Sequence, residues 1–362
     1  MRKLTRWTTI AATVAVAGAL TVAAASGEAT LTPRQLAGER VIYSYSGPTP
    51  PQSLFDRIRA GEAAGVIFFK DNVSGTAQLA GVIQQLKDAN ADSPVKAPLL
   101  LMTDQEGGKV RRLPGEPALS AKQAGESADP VATAKSTGTG AGRNLAGVGM
   151  NVNLAPVLDV YRKPGDLMDQ YGRSYSDDPA VVSRLGPAFI GAQQQTGVAA
   201  TAKHFPGLGA GAAGQNTDDQ PVTLDVPLST LRDVDEAPYT TAISGGVKLV
   251  MVSWATYPAL DAASPAGLSA TVVRRELRGR LGFSGVTVTD ALEAKGISGT
   301  TGERAVRAAA AGMDLVLCSA QDPAQGDDAG NALAGALQSG RLDSADFTAA
   351  ADRVTALRQS LG

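Results

Sequence analysis

The chain has 362 residues, 43% hydrophobic and 19% charged, the balance of a globular protein with ample apolar surface for a core. Its 33 Lys+Arg against 35 Asp+Glu leave a net charge of −2, so there is no electrostatic case for nucleic acid or an anionic membrane as partner. Aromatic residues make up only 4%, which argues against an extended stacking platform for a polymer.

In chain order, Arg2, Lys3 and Arg6 come first, followed by an apolar stretch from about Ile10 to Val22 and the small residues Ala23-Ala24-Ala25-Ser26. A basic head, a short apolar body and small residues at its end describe a secretory signal peptide over residues 1–25. The apolar run is shorter than the roughly 20 residues that span a bilayer, so no stable membrane insertion is expected. The protein is read as secreted, whether released or retained at the cell surface. The remainder, 30–362, reads as one domain.

Eight apolar runs of β type then follow: Val41–Gly47, Gly65–Phe69, Pro98–Asp104, Met150–Pro156, Gly197–Phe205, Val247–Trp254, Gly285–Asp290 and Met313–Ser319. Several are almost continuously apolar, as parallel strands buried on both faces are. Helical patterns lie between them. Leu79, Val82, Ile83 and Leu86 share one helical face, and so do Val182, Leu185, Phe189 and Ile190, although Gly186-Pro187 is expected to interrupt that helix. Ala305–Ala311 reads as a helix, and two more fall near Ala329–Gly340 and Ser344–Leu361. Eight βα units predict an α/β fold, a single (β/α)8 TIM barrel. A doubly wound sheet is the alternative, but no Gly-x-Gly-x-x-Gly turn follows the first strand. Cys318, the sole cysteine, reads as a small buried residue.

In a barrel, function belongs at the C-terminal ends of the strands, and polar residues collect there. The third strand ends in Thr103-Asp104-Gln105-Glu106 with Arg112 nearby; Asp159 and Arg173 follow the fourth. The fifth ends in Lys203 and His204, the only histidine of the chain, and the seventh in Asp290. Each group has a duller reading. Asp290 with Glu293 three residues on has the spacing of a helix N-cap, Asp104 suits a turn, and lone arginines are usually surface ion pairs. Lys203 and His204 suit a satisfied pair in the barrel rim. Their coincidence at one end of the barrel favours a site instead. With one histidine and no cysteine cluster, no metal is implied, nor any organic cofactor.

At these residues the chain resembles the glycoside hydrolases of family 3, in their short β-N-acetylhexosaminidase-like branch. The resemblance rests on five blocks in order. They are Thr103–Val110, Asn153–Asp159, Gly172–Tyr175, Lys203–Gly207 and Leu281–Asp290. It implies that Asp290 is the nucleophile of a retaining mechanism and that Asp104, Arg112, Arg173, Lys203 and His204 hold the sugar in the −1 subsite. Lys203 and Arg173 beside Asp290 would keep it ionised. The implied substrate is a small carbohydrate or cell-wall fragment, a β-linked N-acetylglucosaminide from peptidoglycan or chitin.

One block departs from the pattern. Where that branch carries an Asp-x-His dyad as acid/base, the matching triplet here is Asp218-Asp219-Gln220, and glutamine does not exchange a proton near neutral pH. A chain ending at Gly362 also leaves no room for the second domain that supplies the acid in larger relatives. Three readings follow. Asp218 or Asp219 serves as the acid itself, or only substrates with good leaving groups are cleaved, or the barrel binds sugar without turnover. A sugar phosphorylase is a minor fourth.

Overall fold

The computed structural model describes Met1 and residues 31–362 of the chain, so the candidate signal peptide lies outside the described residues apart from Met1. Leu31–Gly362 forms one compact unit. Among the described residues no helix is long and apolar enough to cross a membrane.

All eight expected strands form, seven within the span their apolar run set and the seventh in order running one residue past it, to Ala291. They are β1 Val41–Tyr43, β2 Gly65–Ile67, β3 Leu100–Thr103, β4 Val152–Asn153, β5 Ala199–Phe205, β6 Leu249–Val252, β7 Val286–Ala291 and β8 Leu315–Leu317. Each pairs in parallel with the next, and β1 closes on β8 through Val41↔Val316 and Ile42↔Leu317. The sheet is thus a closed (β/α)8 barrel, not a doubly wound one. Around it run α1 Gln52–Arg59, α2 Thr76–Ala91, α3 Pro130–Val148, α4 Pro179–Gln194, α5 Ala237–Ser244, the π-helix α6 Thr271–Arg280, α7 Thr301–Ala311 and α8 Pro323–Gln338. Side chains cap several of them: Asp129, Asp178, Thr300 and Asp322 each accept a hydrogen bond from a first-turn N–H.

The strand pleat sorts residues between two apolar cores. Ile42, Leu100, Met102, Val152, Leu249, Met251, Val286, Val288, Leu315 and Leu317 point inward and fill the barrel. Their chain neighbours Leu101, Val250, Val252 and Val316 point outward under the helices. The terminal helix α9, Ser344–Ser360, adds Val354 and Leu357 to the inner core. Cys318 is buried and free, as read from the sequence.

One expectation fails. Helix α4 does not break at Gly186-Pro187 but runs unbroken from Pro179 to Gln194. Pro187 has no N–H to give to the carbonyl of Ser183, four residues back, and that carbonyl is met from outside the helix by the Thr241 hydroxyl at 2.9 Å. Gly186 in turn lies against Leu158, where a Cβ would come within 2.4 Å of Cδ2. Tertiary contacts therefore supply what the proline removes.

Helix α9 is anchored by a buried charge. Arg358 and Glu39, each about 1% exposed, form an ion pair, and Arg358 Nε and Nη2 donate to Pro98 O and Ala97 O at 2.7 and 2.8 Å. Thr355 Oγ1 donates to the same carboxylate at 2.7 Å. Replacing Arg358 with alanine would strand the Glu39 charge among apolar groups. Urea unfolding is expected to show a loss of about 3–5 kcal/mol, several times that of removing an exposed arginine such as Arg341.

Candidate active site

The same pleat that fills the barrel places the site. Continuing the inward set one step past the last apolar residue gives Asp104 after Met102, Lys203 after Ala199 and Thr201, Asp290 after Val288, and Ser319 after Leu317. All four line a cavity of about 490 Å³ at the C-terminal ends of the strands. Ile67, Leu154, Met251 and Leu317 line it from below, and Arg112, Arg173, His204 and Asp218 complete its charged wall. The register between β5 and β6 shifts between Ala202 and Phe205, and both Lys203 and the next residue, His204, line the cavity. A larger recess of about 620 Å³ lies at the opposite end of β3 and β4, but no Asp or Glu lines it, and paired-carboxylate chemistry has no footing there.

Five charged groups form one network. Lys203, 1% exposed, places its ammonium 2.7 Å from Asp104 Oδ1 and 2.8 Å from Glu106 Oε1. Arg173 grips Glu106 with both arms, Nε to Oε2 at 2.9 Å and Nη2 to Oε1 at 2.8 Å. Arg112 Nη2 stands 3.5 Å from the other oxygen of Asp104. Burial alone would push both carboxyls up. The cations outweigh it, Lys203 and Arg112 holding Asp104 below its ordinary value, Arg173 and Lys203 holding Glu106 well below. The same partners outweigh burial for the cations, raising Lys203 and Arg173.

His204 is oriented from behind. Its Nδ1 lies 2.7 Å from Asp159 Oδ2, while Asp159 Oδ1 accepts the backbone N–H of Leu208 at 2.7 Å. A carboxylate only accepts, so Nδ1 donates to it, and Nε2 faces the cavity 3.5 Å from Arg173 Nη2.

The loop after β5 separates the two candidate acids. Asp218 lines the cavity; Asp219 does not, and its carboxylate takes a hydrogen bond from Asn216 Nδ2 at 3.0 Å instead. Asp218 is open to solvent at the mouth, yet protein surrounds much of its carboxyl. That burial first, and then the charge of Asp290, push it up to about 6, against the opposing pull of His204 and Arg173. Gln220, in the place of the expected histidine, turns away and donates from Nε2 to Gly214 O at 2.7 Å, bracing the loop from within.

Every binding residue inferred from the sequence therefore meets Asp290 in one cavity. The helix-cap reading of Asp290 fails: β7 runs through to Ala291, Asp290 Oδ1 accepts the N–H of Ala291, and the next helix starts at Thr301 under a Thr300 cap. Neither Lys203 nor Arg173 forms an ion pair with Asp290, because Asp104 and Glu106 take their charge. Sequence reasoning missed three contributors. Glu106 was legible as the inward residue two positions beyond Asp104 on extended chain. Asp159 stood within a motif, but nothing local tied it to His204. Glu293, which lines the cavity and accepts from Ser319 Oγ at 2.7 Å, had the helix-cap explanation.

A parallel barrel with carboxylates facing each other across a polar well is the architecture of a barrel glycosidase. The chain belongs to glycosyl hydrolase family 3, whose N terminal domain model matches residues 41–357, and it is by that membership an O-glycosyl hydrolase. It is 44% identical over 329 residues to an uncharacterized secreted glycosyl hydrolase of Arthroderma benhamiae, covering 90% of this chain and 93% of that protein. Among solved structures it is similar to a family 3 β-N-acetylglucosaminidase from a Paenibacillus species, with TM-score 0.86 and 34% identity over 92% of this chain. The match spans 63% of that longer chain. The β-N-acetylhexosaminidase of Beutenbergia cavernae matches with TM-score 0.82 and 33% identity over 91% of this chain and 99% of its own.

The network makes a pH-dependent contribution to stability. Glu106, held below its ordinary 4.5, stabilises the fold fully above that pH and ceases to do so as pH falls through its lower folded value. Glu106→Gln leaves the buried Lys203 with one carboxylate and Arg173 with none. Urea unfolding at pH 7 is expected to show a loss of about 3 kcal/mol, and the gap to the wild type should narrow on acidification to about pH 3.

Proposed function

We propose that this protein is an exported, retaining β-N-acetylhexosaminidase that removes a β-linked N-acetylglucosamine from small fragments of peptidoglycan or chitin. Asp290 attacks the anomeric carbon while the bond to the leaving oxygen breaks, and that oxygen takes the proton of Asp218. In the second half, water gives a proton to the Asp218 carboxylate and attacks the same carbon, the ester bond to Asp290 breaks, and the sugar leaves with its configuration retained. Asp104, Arg112, Arg173, Lys203 and His204 hold the sugar hydroxyls through a network whose charges are already fixed before substrate arrives.

The observation that carries this reading is the pair itself. Asp218 shares a cavity with Asp290, and burial first and then the charge of Asp290 push its carboxyl up to about 6. A glycosidase needs that division between a proton donor and a carboxylate. The names of the similar Paenibacillus and Beutenbergia proteins support the N-acetylated sugar. Export, and division of the chain into a signal peptide over 1–25 and a barrel domain over 30–362, draw support from the basic and apolar N-terminus and from the similarity to a secreted fungal hydrolase.

The test is turnover of an aryl β-N-acetylglucosaminide beside that of N,N′-diacetylchitobiose. Asp290→Asn is expected to bring both to background. Asp218→Asn should cost about 10²- to 10⁴-fold on the disaccharide and much less on the activated aryl compound, while Asp219→Asn leaves both unchanged. Because Asp218 must be protonated in the first half, kcat/KM on the disaccharide is expected to fall as pH rises through about 6. Stabilisation by sugar without turnover by the wild type would overturn the enzymatic reading and leave a sugar-binding barrel.

A further inference from the structure

The loop that carries Asp218 is held at both ends, where Gly211 O accepts the N–H of Leu167 and Val222 O that of Thr256, and between them its segment 212–220 is tethered to the rest of the protein at one place. Among the described residues, every hydrogen bond leaving the segment 212–220 goes to the turn that follows β7: Lys295 N–H donates to Asp218 O at 3.1 Å, and Gly296 N–H to Thr217 O at 2.8 Å. The other hydrogen bonds of that segment, including those from Gln220 to Gly214 and from the Asp218 N–H to Asn216 Oδ1, are internal.

The receiving turn is itself held firmly. Arg304, on α7, donates to three of its carbonyls, those of Leu292, Ala294 and Ile297. Trp254 Nε1 donates to Ala291 O at 2.8 Å, one residue past Asp290. A braced stretch of backbone therefore runs from Asp290 to Gly296 and there grips the neighbour of Asp218.

The grip needs glycine for space, not for conformation. Gly296 is buried and its φ is not left-handed, so alanine suits its backbone. An alanine Cβ there would stand 2.6 Å from Thr217 O and 3.2 Å from Gln220 O. The first contact is with backbone, which no side-chain rotation relieves, so the segment carrying Asp218 has to withdraw.

We infer that the Lys295-Gly296 backbone fixes Asp218 opposite Asp290, which makes Gly296 a positioning residue for proton transfer to the leaving group. The inference rests on the reading of Asp218 as proton donor. The turn after the nucleophile's strand then sets the separation of both carboxyls, with the Gly/Ala-rich stretch before Asp218 braced at Gly211 and Gly214. Withdrawal of the loop would weaken the influence of Asp290 on Asp218 and lower the pH up to which Asp218 keeps its proton.

The experiment compares Gly296→Ala with wild type and Asp218→Asn, using aryl β-N-acetylglucosaminides of graded leaving ability and N,N′-diacetylchitobiose across pH. Gly296→Ala is expected to lose on the order of ten- to a hundredfold in kcat on the disaccharide but little on the best aryl leaving group, and to shift the alkaline limb of kcat/KM downward. Equal losses on all substrates, or an unmoved limb, overturn the inference. Retention of disaccharide turnover by Asp218→Asn overturns the reading of the site instead, so the two failures are distinct. Amide exchange in the wild type tests the tether without any variant. Protection of the Gly296 N–H comparable with that of β7 is expected, and exchange at the rate of an open loop overturns it.

Discussion

The two-residue period of a pleated strand governs both stability and site in this barrel. A strand end cannot choose independently which side chains enter the lumen; the choice is made several residues earlier, where Leu100, Val286 or Leu315 must face inward to be buried. Once those apolar residues are seated, Asp104, Asp290 and Ser319 have nowhere to point but into the mouth. A slip of one residue in β3 or β7 would carry Asp104 or Asp290 out of the mouth and turn Leu101 or Thr287 into the lumen, so the hydrophobic core enforces the geometry of the site.

Placing so many charges in one layer raises a second requirement, that each buried charge be matched. Lys203 is almost wholly out of water, and a buried ammonium without partners would lose its proton. Asp104 and Glu106 meet that need, and Arg173 completes Glu106. The consequence is a wall of hydrogen-bonding groups held rigid by one another, with Asp290 left outside the network. A carboxylate locked into bidentate ion pairs would have to break them to react, whereas among the described residues Asp290 accepts a hydrogen bond only from the neighbouring Ala291 N–H.

Strand count, barrel closure and the charged positions Asp104, Arg112, Arg173, Lys203, His204 and Asp290 were legible in the sequence because they follow from local patterns: apolar runs, and polar residues at their ends. What was not legible depends on partners distant in the chain. Proline at 187 reads as a break until Thr241 is known to lie across from Ser183. Asp218 and Asp219 are indistinguishable as letters, and only the contact with the turn at 295 and 296, some 80 residues away, decides which one faces the cavity. Gln220 reads as a lost catalytic group, yet its amide has a task of its own inside the loop. Glu293 likewise had a local explanation that a distant serine displaces.

The apolar plug beneath the cavity has a further meaning. With Leu154, Met251 and Leu317 closing the lumen and α9 sealing it below, the barrel offers no passage through, only a blind well. A polymer cannot thread such a shape. Whatever enters it has to leave through the opening by which it came.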